Sequence, residues 1–70
     1  MKYLELLYSK YQKVLLTKKE VASELGISES SLNRLLYEGE PIPHYKNKGS
    51  VIFVLKGFCD YLESLEKISA

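Results

Sequence analysis

Gly26 constrains this chain more than any other residue. Before it, Val21, Ala22 and Leu25 recur at helical spacing, and after it Leu32, Leu35 and Leu36 do the same. Glycine reaches the left-handed conformation without steric cost, so Gly26 is a natural stop for the first helix. The start signals agree. Thr17 with Glu20 three residues on reads as a capping box. Ser28 caps the second helix, Glu29 suits the positive end of its dipole, and Gly39 closes it. Helices joined this closely must cross steeply, at roughly 90–120° around a turn of about 3–4 residues. A small side chain at Ala22 permits that approach, while Ile27, Leu32 and Leu35 plug the angle. Residues 17–39 therefore read as a helix-turn-helix, although a plain helical hairpin in a small bundle would share part of the pattern.

The flanks are read in the same way. Leu4, Leu7, Tyr8 and Tyr11 place an amphipathic helix over residues 2–13, with Lys10 and Lys13 near its negative end. Val14-Leu15-Leu16 breaks the period and reads as a short extended segment. After Gly39, Pro41 and Pro43 forbid a regular helix. His44-Tyr45-Lys46 and Val51-Ile52-Phe53-Val54 read as two strands around a turn at Asn47-Lys48-Gly49-Ser50, with Gly49 at positive φ. This hairpin, residues 42–54, lies where the wing of a winged helix belongs. A helix over residues 56–68 follows, with Phe58, Tyr61, Leu62 and Leu65 as its apolar stripe and Gly57 weakening its start. Residues 1–70 thus read as one domain, mainly α with a small β-hairpin: a winged helix-turn-helix with extra N- and C-terminal helices.

Size and composition limit the function. Seventy residues bury only about 60% of their unfolded surface, which leaves little room for a substrate pocket beside a core. His44 and Cys59 are the chain's only histidine and cysteine, and no third partner is evident for either. No carboxylate pair, phosphate loop or metal-ligand spacing occurs, so no enzyme, cofactor or small-molecule substrate is expected. Cys59 reads as a small core residue. A lone cysteine also points to a reducing, cytoplasmic setting. Glu5 interrupts the early apolar stretch, which argues against a signal peptide, and no run of about eighteen apolar residues suggests a membrane span.

Net charge is only +1, but it is polarised. Residues 41–56 carry Lys46, Lys48 and Lys56 and no acid, whereas residues 57–70 are net acidic. The apolar side of the second helix leaves Ser30, Arg34 and Tyr37 facing outward, flanked by Ser31 and Asn33. Serine and asparagine near a helix start can bond phosphates or base edges, and arginine is the commonest reader of guanine. Arg34 is the only arginine present. Lys18 and Lys19 open the first helix of the pair, where they oppose its dipole and suit nearby phosphates. Lys46, Asn47 and Lys48 at the hairpin tip suit a backbone or minor-groove contact.

Leu16-Thr17-Lys18-Lys19-Glu20-Val21-Ala22, Leu25-Gly26-Ile27-Ser28, Leu32-Asn33-Arg34-Leu35-Leu36 and Gly39 together resemble the excisionase-like winged helix-turn-helix, a relative of the MerR DNA-binding domain. The resemblance runs over residues 14–65. It implies a duplex DNA binder with the second helix in the major groove and the wing against the minor groove. It further implies a recombination directionality factor or small transcriptional regulator of a phage, plasmid or other mobile element, with copies bound side by side on DNA. Carried over by position, Ser28, Ser30, Ser31, Asn33 and Arg34 read the DNA, and Lys46, Asn47 and Lys48 form the wing. The chain departs from the family where arginines usually follow the wing glycines. Ser50-Val51 and Ile52-Phe53-Val54 stand there, and Leu55-Lys56-Gly57-Phe58 replaces a polar run. Those replacements lead to the expectation that wing and last helix bury extra apolar surface.

Two other readings use the same residues. Low net charge and tyrosines expected at the surface (Tyr3, Tyr8, Tyr11 and Tyr37) fit a winged-helix protein adaptor or a homodimer joined through the first helix. The DNA-binding part of a small phage packaging subunit would share the fold.

Overall fold

The computed structural model describes the backbone of residues 2–69 and the side chains of residues 3–66. In chain order the elements are α1 (Lys2–Tyr11), β1 (Leu15–Thr17), α2 (Lys18–Leu25), α3 (Glu29–Tyr37), β2 (Tyr45–Asn47), β3 (Ser50–Val54) and α4 (Leu55–Ser69). The protein is mainly helical with a small antiparallel sheet of three strands in the order β1-β3-β2. Against the central β3, β1 sets Leu16 opposite Phe53 and Thr17 opposite Ile52, while β2 sets Tyr45 opposite Ile52.

The local chemistry accounts for each boundary. Thr17 is extended (φ −88°, ψ 167°) and its side chain accepts the Glu20 N–H, while the Glu20 carboxylate accepts the Thr17 N–H at 2.9 Å. Gly26 ends α2 at φ 72°, with Gly26 N–H donating to Ser23 and Ile27 N–H to Ala22. These two bonds form a Schellman motif, which satisfies carbonyls the helix would otherwise leave open. The motif recurs after α3, where Gly39 lies at φ 91° and Gly39 and Glu40 donate to Leu36 and Leu35.

The first helix stops at Tyr11 and not at residue 13. Gln12 takes the left-handed conformation (φ 56°) and its N–H returns to the Tyr8 carbonyl at 2.7 Å. A glutamine carries no sequence signal for that role. Lys13, freed from the helix, pairs instead with Glu20 at 2.9 Å. The short extended segment expected after it is an edge strand that joins the hairpin in one sheet by pairing with β3. The last helix starts at Leu55 with no residue between it and β3, and Leu55 N–H donates to the Val14 carbonyl at 2.8 Å. Gly57 lies inside α4 for a packing reason: a Cβ there would stand 3.0 Å from the Pro43 Cβ.

The core draws on every element but β2: Leu7, Leu16, Val21 with Ala22, Leu32, Phe53, and Leu55, Phe58, Cys59 and Tyr61 from α4. Ile42, between the two prolines, is 2% exposed and plugs the core from the loop. Tyr3 and Tyr11, expected at the surface, are half-buried against this core. The Tyr11 hydroxyl and the Lys10 ammonium both donate to Glu24, tying α1 to α2. The extra burial expected of the second hairpin strand is only partly found. Phe53 is fully buried, but Ile52 is half-exposed and Val54 is 41% exposed.

Two predictions follow from the caps. Thr17→Ala removes the side-chain acceptor at the start of α2 and lowers stability by about 1 kcal/mol, with Thr17→Ser recovering most of it, as read by chemical denaturation. The second concerns acid. The Thr17 N–H, then Lys13, holds the Glu20 carboxyl below its ordinary value of 4.5, and the Lys10 and Tyr11 hydrogen bonds lower Glu24 in the same direction. Carboxylates depressed in the folded state stabilise it above their unfolded pKa, and that stability is lost as pH falls through the folded pKa. Thermal midpoints measured from pH 7 downward therefore fall below about pH 4.5, and Glu24→Gln flattens that fall.

Candidate nucleic-acid interface

The outward face of α3 is built by the same periodicity that buries Leu32. Ser30, Asn33, Arg34 and Tyr37 are all exposed, Tyr37 at 92%. Ser28 and Ser31 are already occupied in part by the helix start. The Ser28 hydroxyl oxygen accepts from Ser31 N–H at 3.1 Å and the Ser28 hydroxyl donates to Ser31 Oγ at 3.1 Å. Ser31 keeps its own hydroxyl hydrogen for another acceptor.

Lys18 does not stand alone at the start of α2. Its Nζ donates to Asn33 Oδ1 at 2.8 Å, which joins the first turn of α2 to the middle of α3. Lys18 and Lys19 also line a cleft of about 360 Å³ with Thr17, Glu29, and Gly49 to Ile52. The exposed face of α3 therefore runs through Lys18 to the base of the hairpin tip. Glu29 is an acid within this cleft, a feature the sequence pattern did not single out as unfavourable to phosphate.

The hairpin tip is a two-residue turn with positive φ at both positions, 53° at Lys48 and 85° at Gly49. Both positive values are the mark of a type I′ turn, which matches the twist of the flanking strands. Glycine was expected in this conformation; lysine was not. Lys46, Asn47 and Lys48 are all exposed.

Three of the described lysines are paired with acids. Lys10 pairs with Glu24, Lys13 with Glu20, and Lys56 with Asp60 at 3.3 Å. Among the described side chains, Lys19, Arg34, Lys46 and Lys48 have no acidic partner within salt-bridge distance. All four belong to the candidate interface. Lys56, counted with the basic middle of the sequence, is neutralised and lies on a different surface. It lines an apolar groove of about 490 Å³ with Leu4, Glu5, Tyr8, Val14, Val54 and Leu55.

Cys59 and His44 lie apart from this face. Cys59 is fully buried, and burial, with Asp60 nearby, pushes its thiol up. The ring of His44 lies 5.8 Å from that of Phe53, and its Nδ1 is 2.7 Å from the Ile42 carbonyl. Among the described residues no group of three or more His, Cys, Asp or Glu could hold a metal, and no helix is long and apolar enough to cross a membrane.

Compared with known proteins, the chain matches no family model, no curated protein and no solved structure.

The turn geometry yields a test that separates conformation from charge. Lys48→Asn places a residue tolerant of the left-handed region at φ 53° and removes one positive charge. Its expected effect is a gain of about 0.5–1 kcal/mol in stability by thermal unfolding, and, if this surface binds duplex DNA, weaker binding to every sequence.

Proposed function

We propose that this chain is a sequence-specific duplex DNA-binding protein of the winged helix-turn-helix type. In this reading α2 and α3 are the helix-turn-helix, α3 enters the major groove, and the β2-β3 hairpin is the wing against the phosphate backbone or minor groove. The observation that carries it is the charge pattern among the described side chains: Lys19, Arg34, Lys46 and Lys48 lack acidic partners, while Lys10, Lys13 and Lys56 are neutralised in ion pairs. Unpaired cations on α2, α3 and the hairpin suit a polyanion. The sequence resemblance to excisionase-like and MerR-like proteins supports the same reading. It adds the role of a small transcriptional regulator or recombination directionality factor of a mobile element. One α3 reads few base pairs, so two or more copies on neighbouring half-sites are part of the proposal.

A second reading, a protein-binding adaptor, is favoured by a different observation. Tyr8, Val14, Leu15 and Val54 leave apolar surface open on α1 and the β1 side of the sheet, away from the unpaired cations. Titration of duplex DNA at several salt concentrations decides between them. About three to five phosphate contacts give a logarithmic salt slope of roughly −3 to −5. Arg34→Ala costs about 1–3 kcal/mol and relaxes preference at one base pair. Absence of duplex binding at low salt would overturn the DNA reading and leave the adaptor.

A further inference from the structure

The bond between Lys18 and Asn33 has a direction set by chemistry. Lys18 Nζ and Asn33 Oδ1 are 2.8 Å apart. An ammonium offers three donors and no acceptor, so Asn33 can meet it only with its carbonyl oxygen. The Asn33 amide nitrogen, with two N–H groups, is therefore turned away from Lys18. Lys18 is half-buried beside the cleft and Asn33 is exposed on α3.

An asparagine that reads adenine uses both ends of its amide. The nitrogen donates to N7 and the oxygen accepts from the N6 amino group. In this chain one lone pair of that oxygen already holds a cation, whose charge opposes an amino hydrogen arriving at the other. Donors therefore dominate what a base meets: the two amide hydrogens beside the remaining donors of the ammonium. That edge complements acceptors, and guanine presents two in the major groove, N7 and O6. Adenine N6 and cytosine N4 would set amino hydrogens against other donors and against a positive charge. Thymine offers a single oxygen beside its methyl group.

We propose that Lys18 is a specificity-determining positioning residue: it fixes the Asn33 amide and sets a positive charge beside its oxygen, so that the pair selects guanine over adenine at one base pair. This inference rests on the duplex DNA reading above.

The experiment is selection from a random duplex pool with the full chain, comparing wild type, Asn33→Ala, Lys18→Met and Lys18→Arg. The position whose preference Asn33→Ala abolishes is the one Asn33 reads. Wild type is expected to favour guanine over adenine there by about tenfold or more. Lys18→Met, which keeps length but has no donor, frees the Asn33 oxygen and shifts the preference to adenine. Lys18→Arg retains guanine. Thermal unfolding checks each variant, and Lys18→Ala replaces Lys18→Met if the latter does not fold. Adenine in the wild-type site, guanine retained without a donor at position 18, or no position flattened by Asn33→Ala would each overturn the coupling alone. Failure of wild type to enrich any duplex would overturn the DNA reading and this inference with it.

Discussion

Thr17 belongs to two elements at once, and the arrangement of the rest depends on it. It is the last residue of β1, opposite Ile52, and also the cap of α2, bonded to Glu20 through both side chain and backbone. Strand and helix therefore meet with no linker to absorb a change of angle. The sheet fixes where α2 starts, α2 fixes Lys18 and Lys19, and Gly26 with its Schellman bonds fixes how α3 departs. The exposed side of α3 and the hairpin are held in one frame by a single threonine and the two bonds that close its capping box.

Electrostatics in so small a protein is a matter of pairing more than of net charge. A net charge of +1 would not suggest affinity for a polyanion. Three of the nine acids, however, neutralise particular lysines. Glu24 takes Lys10, Glu20 takes Lys13 and Asp60 takes Lys56, and none of these pairs involves a residue of α3 or the hairpin. Lys19, Arg34, Lys46 and Lys48 are left without an ion-pair partner, although Glu29 shares the cleft with Lys19.

Most of the fold was legible because its boundaries are written in residues with strong local preferences. Thr17 with Glu20, Gly26, Ser28 and Gly39 each announce a helix end, and the structure uses each in that way. What could not be read depends on contacts distant in sequence. Gln12 adopts a left-handed turn that nothing in its chemistry demands, and the pairing of β1 with β3 joins segments more than thirty residues apart. Gly57 looked like a weak helix start because its reason is Pro43, a neighbour in space alone. The Lys18–Asn33 bond is of the same kind: two polar residues fifteen apart carry no mutual signal in a sequence. Lys48-Gly49 is the exception, since a two-residue turn between extended segments could have been read as type I′ from its length.

The direct passage from Val54 into Leu55 has an effect on how the protein can vary. Strand residues alternate between faces, so a one-residue slip in β3 would turn Phe53 away from the core. With no linker behind β3, the same slip would rotate α4 by about 100° and carry Phe58 and Cys59 out with it. Insertions between residues 50 and 58 are thus excluded by the core itself, and Ile42 pins the loop on the other side. At Lys48-Gly49 the chain meets open solvent, and residues added there in pairs lengthen both strands without altering the register behind them. The span of the hairpin is the dimension of this protein that can drift, lengthening or shortening from one descendant to the next while the frame that carries it stays fixed.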